Sequence, residues 1–179
     1  MQEDRLILVD LHDREIGQEM KMQAHQKGLL HRAFSVFLFD GDRLWIQKRA
    51  AGKYHSGGLW ANTCCSHPRA GESLEQAVHR RLQQEVGADC PVQHLTSFVY
   101  RADFPQQGLS EYELDHIFIG QYAGVLTPNP EEIEELRAVP VEELAKDMRE
   151  NPARYAPWFL TAFTMVYAAY HAERREAAQ

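Results

Sequence analysis

Residues 66–88 read SHPRAGESLEQAVHRRLQQEVGA, and the rest of the chain is best placed around them. Leu74, Ala77, Val78, Leu82 and Val86 recur at the spacing that gathers apolar side chains on one helical face. Ser73 followed by Gln76 is a capping-box pattern, and Gly87 sits where a helix stops. The spacing predicts a helix over 74–86. Its polar side carries Arg80, Arg81, Gln84 and Glu85. The helix is fed by a stretch, 52–71, that holds Gly52, Gly57, Gly58, Pro68 and Gly71 and reads as a long loop. A long ordered loop in a compact domain is usually functional.

Strand-like segments lie on both sides. Residues 5–9 (RLILV) predict a strand, followed by a turn at His12-Asp13-Arg14. Residues 18–31 are polar and read as irregular. Segments 33–39 (AFSVFLF) and 43–49 (RLWIQKR) flank Asp40-Gly41-Asp42, a hairpin signal. Beyond the helix, 95–101, 111–122 and 134–139 read as strands. Pro140 opens a helix over 141–149, and 157–173, rich in Trp, Phe, Tyr and Ala, predicts a last one. Strands mixed with three helices predict an α/β (α+β) fold, a mixed sheet sandwiched between helices.

The 179 residues suffice for one domain with a full core and are short for two, so residues 1–179 are expected to form a single domain. Hydrophobic residues at 44% and charged residues at 25% exclude a disordered or fibrous chain. No apolar run reaches the ~18 residues that span a bilayer, and the charged start, followed only by Leu6–Val9, is too short for a signal peptide. Nineteen basic against 26 acidic side chains give a net charge of −7, which disfavours nucleic acid and anionic membranes as partners. Three cysteines, two of them adjacent (Cys64, Cys65, Cys90), argue against a disulfide framework and for a cytoplasmic location.

Several groups could carry chemistry. Cys65 stands two residues before His67 in Asn62-Thr63-Cys64-Cys65-Ser66-His67-Pro68, as a nucleophile, an acid, part of a metal site or an inert thiol. Glu111 and Glu113, at i and i+2 on a strand, face the same way; in an interior they would call for a cation, on an edge they would be solvated. With His25, His31 and His67 they would make a set of three nitrogens and two carboxylates suited to zinc, manganese or iron. Lys21, Lys48, Arg49, Lys53, Arg80 and Arg81 would form a phosphate site if they converged. Trp158, at a helix start, is a core residue or a π face beside a developing cation.

The stretch 66–88 resembles the Nudix box through Glu72, Arg80, Leu82, Glu85 and Gly87. Ser66 replaces the opening glycine, and Arg81 and Gln84 replace two of the helical glutamates. In Nudix hydrolases those glutamates hold several divalent ions, so the departures disfavour a diphosphohydrolase. Taken with Ala24-His25, Leu30–Ser35, Trp60–Pro68, Gly71-Glu72-Ser73 and Glu111-Tyr112-Glu113, the chain is similar to the type I isopentenyl-diphosphate isomerases, a non-hydrolytic branch of the Nudix superfamily. The likeness runs from about Leu6 to Trp158.

That resemblance implies interconversion of isopentenyl and dimethylallyl diphosphate by protonation and deprotonation, in isoprenoid biosynthesis. It implies Cys65 and Glu113 as the catalytic pair, with Tyr100 and Trp158 as active-site aromatics. It implies Zn2+ or Mn2+ on His25, His31, His67, Glu111 and Glu113. Mg2+ would sit on Glu85 and the carbonyl of Cys65 and meet the substrate diphosphate, which Lys21, Arg49, Lys53 and Arg81 would bind. The catalytic loop and Nudix helix would span about 60–88, in a monomer or homodimer. The order of the two proton transfers stays open, with the family placing donation at Glu113 and abstraction at Cys65. The alternatives are the diphosphohydrolase and a non-catalytic module that binds metal and diphosphate.

Overall fold

The computed structural model describes residues 5–53 and 55–177. The first four residues, which contribute to the charged start of the chain, lie outside it. Nine strands and four α-helices follow in order: β1 (Arg5–Val9), β2 (Glu15–Met20), α1 (Lys21–Lys27), β3 (His31–Asp40), β4 (Arg43–Arg49), β5 (Trp60–Asn62), β6 (Cys64–Ser66), α2 (Leu74–Val86), β7 (Val92–Phe104), β8 (Leu109–Gln121), β9 (Ile133–Pro140), α3 (Val141–Glu150) and α4 (Pro157–Ala177). The strands form one mixed sheet.

β3 is its axis. One edge pairs in parallel with β8 from His31–Glu113 to Phe39–Gln121, and β8 pairs antiparallel with β7. Alternation along β3 divides the core. Phe34, Val36 and Leu38 face α2, with Ala77, Val78, Leu82 and Val86 against them. Phe37 and Phe39 point to the opposite face, where α3 and α4 supply Leu144, Met148, Phe159 and Phe163. This is the helix–sheet–helix arrangement expected from the sequence.

α2 has the predicted bounds. Ser73 Oγ accepts from Gln76 N while Gln76 Oε1 accepts from Ser73 N, and Gly87 takes φ 65°. A Cβ at Gly87 would come within 3.1 Å of Thr127. The last carbonyls of the helix accept from the segment behind it, Glu85 O from Asn129 N and Val86 O from Thr127 N, both at 2.8 Å.

Two expectations are corrected. Residues 18–31 are not irregular: they hold the end of β2 and the seven-residue α1. α1 has no side-chain N-cap; buried Ala24 and His25 and the left-handed Gly28 hold it, signals too short to register as a period. The stretch 52–71 is not loop throughout, because β5 and β6 lie inside it.

These two short strands exist because β3 and β4 diverge. The pair is joined only at Phe39–Leu44 and Asp40–Arg43, beside the expected turn at Gly41. Farther along, β6 takes β3 (Ser35–Cys65) and β5 takes β4 (Ile46–Asn62). Buried polar side chains seal the fork. Asn62 Nδ2 donates to Val36 O and Cys64 O, Leu38 N donates to Thr63 Oγ1, and Gln47 Nε2 donates to Thr63 O. The fork thus sets Cys65 at a fixed register beside Ser35.

Candidate active site

β3 pairing puts functional residues from four strands on the face shared with α4. Cys65 lies across from Ser35 on one edge; Glu113 lies across from His31 on the other, with Tyr100 of β7 beyond it. Cys65, Ser35, Glu113 and Tyr100 open into one cavity, also lined by Lys21, Arg49, Lys53, Arg81, Glu85, Glu111 and Trp158. All four cations that the resemblance assigned to the diphosphate therefore converge, whereas Lys48 pairs with Glu134 at 2.7 Å and Arg80 with Glu72 at 2.6 Å.

The imidazoles cluster below. The ligand atoms of His25, His31, His67 and Glu113 lie within 4.8 Å of one another, and those of His25, His55 and Glu111 form an overlapping group. Four of the five expected ligands thus come together directly. Glu111 adjoins them through His25, its Oε1 being 3.1 Å from His25 Nε2, and its Oε2 accepts from the Tyr100 hydroxyl at 2.9 Å.

The donor set fits a cation. His25 Nδ1 donates to Lys21 O at 2.7 Å and His31 Nδ1 to Leu29 O at 2.8 Å, which turns each Nε2 inward. His31 Nε2 is wholly buried without a hydrogen-bond partner, 3.5 Å from Glu113 Oε1. Burial, with His25 beside it, lowers the His31 pKa to about 4, and burial holds His67 well below the ordinary imidazole range. Neutral imidazoles turned toward a carboxylate are suited to hold a metal ion rather than to form ion pairs.

The two glutamates are driven apart. Burial and the charge of Glu111 push Glu113 well above the carboxylate range. Burial opposes ionisation of Glu111 too, but His25 and His55 outweigh it and hold that carboxyl low. Burial pushes the Cys65 thiol up to about 12, with Arg49 the main opposing influence. Arg49 NH1 stands 3.8 Å from Cys65 Sγ, and its guanidinium lies 5.0 Å from the centre of the Trp158 ring. Trp158 is fixed by donating from Nε1 to Asn62 Oδ1 at 3.1 Å.

At the helix side, Arg81 Nε donates to Glu85 Oε1 at 3.0 Å and Gln47 Nε2 to Glu85 Oε2 at 3.3 Å. Glu132 ion-pairs with Lys53 and, at 3.2 Å, with Arg81. Lys21 loses proton affinity through burial and the nearby charges of Lys53 and Arg81, as expected of cations crowded into one pocket. Sequence reasoning missed Glu132 and His55. Both stand beside residues it did single out, and His55 follows Lys53 in the same glycine-bearing stretch.

The NUDIX domain family matches residues 29–159. The chain is 50% identical over 165 residues to isopentenyl-diphosphate Delta-isomerase 2 of Aromatoleum aromaticum, covering 92% of this chain and 87% of that one. It is 48% identical over 177 residues to isopentenyl-diphosphate Delta-isomerase 1 of the same organism, covering 98% and 99%. The chain belongs to the isopentenyl-diphosphate Delta-isomerases of the Nudix superfamily. It is therefore an isomerase built on a Nudix fold. The crystal structure of DR0079 from Deinococcus radiodurans, 20% identical, superposes with a TM-score of 0.68 over 83% of this chain and 90% of that one, which shows the shared fold. Among the described residues, no helix is long and apolar enough to cross a membrane.

Proposed function

We propose that this cavity interconverts isopentenyl and dimethylallyl diphosphate, with Cys65 and Glu113 as its two acid–base groups. The observation that carries the reading is their presence in one cavity with Lys21, Lys53 and Arg81. The chain is taken as one domain acting in the cytoplasm, as a monomer or homodimer, on a small-molecule substrate and without nucleic acid or membrane partners.

The reaction adds a proton to the terminal alkene carbon and removes one from the neighbouring methylene. An alkene is a weak base, so it needs a placed acid, and a second group must accept the departing proton. In the metal-free cavity burial and Glu111 favour the protonated form of Glu113. Burial likewise keeps Cys65 as a thiol, and Arg49 offsets only part of that effect. The roles follow the family likeness, with donation at Glu113 and abstraction at Cys65, whose thiol has to give up its own proton first. Tyr100 orients the carboxylate pair through Glu111. Trp158 offers its ring to the tertiary cation, an attraction of about 2 kcal/mol when desolvated. Arg49 lies over that ring in the free cavity, so substrate entry has to move it or bring the cation to the ring from elsewhere.

His25, His31, His67, Glu113 and Glu111 would hold one Zn2+ or Mn2+, and Glu85 with the Cys65 carbonyl would hold Mg2+ with the diphosphate; bound ions would supply positive charge that neutralises the diphosphate and fixes the carboxylates. Both Glu85 oxygens already accept hydrogen bonds, from Arg81 and from Gln47. Each of those oxygens keeps a second lone pair, so Glu85 can serve that ion with Arg81 still beside it. The remote diphosphate anchors the substrate while the reacting carbons lie by Trp158 and Tyr100, where water has to be kept from the developing cation.

The test is product analysis with isopentenyl diphosphate and divalent metal. Dimethylallyl diphosphate is expected without release of inorganic phosphate. Cys65→Ala and Glu113→Gln are each expected to lower kcat by about 10²-fold or more. Phosphate release, or full activity in either variant, overturns the corresponding part of the reading.

A further inference from the structure

His55 lies in the segment between β4 and β5, and the neighbouring described residues from Ala51 to Gly58 are all partly or fully exposed. Its own exposure is 4%. It is turned inward: Nε2 stands 2.5 Å from Glu111 Oε1. Its ring stacks on Phe104 with centroids 4.9 Å apart and meets Trp158 edge-on at 5.8 Å.

The chemistry of the contact distinguishes two roles. Glu111 Oε1 is buried with no hydrogen-bond partner, and a ring N–H on the facing His55 Nε2 is the tautomer that serves it. The other ring nitrogen is compatible with that tautomer, since Nδ1 lies 3.2 Å from the Ser56 hydroxyl, which can donate to it. A metal ion between the same atoms would instead make His55 a ligand, since the donor atoms of His25, His55 and Glu111 lie close enough to hold one. The larger group of His25, His31, His67 and Glu113 leaves His55 out, which favours a role on Glu111 over a place beside it. Tyr100 donates to the other oxygen of the same carboxylate. Glu111 is thus held by Tyr100 at one oxygen and faced by His55 at the other, next to His25 of the metal-ligating cluster.

We propose that His55 is a positioning residue of the metal centre, gripping Glu111 against Tyr100 so that this carboxylate is presented to the ion held by His25, His31, His67 and Glu113. The same side chain ties the glycine-bearing segment to Phe104 and Trp158, and so links the metal centre to the wall of the alkene pocket. Partners that orient a ligand typically change metal affinity by about 10- to 100-fold when removed. This inference rests on the metal-centre reading above.

The test uses the full chain stripped of metal, with Mn2+ and Zn2+ affinities measured by chelator competition. His55→Phe retains a ring on Phe104 and removes the donor; His55→Gln retains a donor. Expected are one high-affinity ion per chain in the wild type, about 10- to 100-fold weaker binding at unchanged stoichiometry in His55→Phe, and partial recovery in His55→Gln. Equal affinity in His55→Phe and wild type overturns the proposal alone. Loss of one nitrogen from the Co2+ coordination spectrum in His55→Phe also overturns it, by making His55 a ligand. A wild type that takes up no ion overturns the metal-centre reading itself.

Discussion

His31 shows how one side chain couples the fold to its chemistry. Its ring is wholly buried, its Nδ1–H is committed to Leu29 O, and its pKa is lowered to about 4 by burial and by His25. Between about pH 4 and 6.5 the unfolded imidazole carries a proton that the folded one refuses. The unfolded state then binds more protons, so stability rises with pH across that window and is lost as pH falls through it. Asp115, raised to about 7 mainly by burial, works in the opposite sense, so only a comparison of variants isolates the histidine. For the metal-free protein, wild type is expected to lose roughly 2 kcal/mol more stability than His31→Gln between pH 7 and pH 5. Denaturant titrations at the two pH values check this, and parallel losses would contradict it. At this scale Glu111 and Glu113 were legible in the sequence, because alternation alone puts i and i+2 on one face. His55 and Glu132 were not, because each acquires its role from a partner on another segment, Glu111 on β8 and the Lys53–Arg81 pair.

Among the elements, α2 was legible to the residue because its signals are local: an apolar stripe, a capping box and a glycine stop. β5 and β6 were hidden because three-residue strands carry no period, and what holds them is the fork between β3 and β4. Asn62 is central to that fork, wholly buried and bonded to Val36 O, Cys64 O and the Trp158 indole. Asn62→Ala leaves those three groups without this partner. At about 1–3 kcal/mol for each buried group left unsatisfied, partly offset by relaxation, a stability loss of roughly 2–4 kcal/mol is expected. Chemical denaturation measures it, and a loss below about 1 kcal/mol would show that water or a neighbour replaces the amide.

Across the whole molecule, the charge distribution opposes the net charge. The chain carries −7, yet Lys21, Arg49, Lys53 and Arg81 line one cavity. Their convergence was not legible, since they come from the start of α1, from β4 and its following segment, and from α2. Glu132 pairs with Lys53 and Arg81 in the free cavity, and its carboxyl, despite burial, is held near 2 by Lys53 and Arg81. Replacing Lys53 by Met removes one charged contact, so affinity for inorganic diphosphate with Mg2+ is expected to fall by about 10- to 100-fold, with a shallower dependence on salt. Calorimetric titration at two ionic strengths reads both, and unchanged binding would place the diphosphate elsewhere.

The account stands on two separate acid–base groups exchanging protons with a substrate held in this cavity. Conversion of isopentenyl diphosphate in deuterium oxide tests that directly. Mass spectrometry of the dimethylallyl diphosphate formed at low conversion is predicted to show deuterium in a methyl group. Product formed at the full rate but free of deuterium would mean that hydrogen passes from carbon to carbon without exchanging, and would contradict the roles given to Cys65 and Glu113.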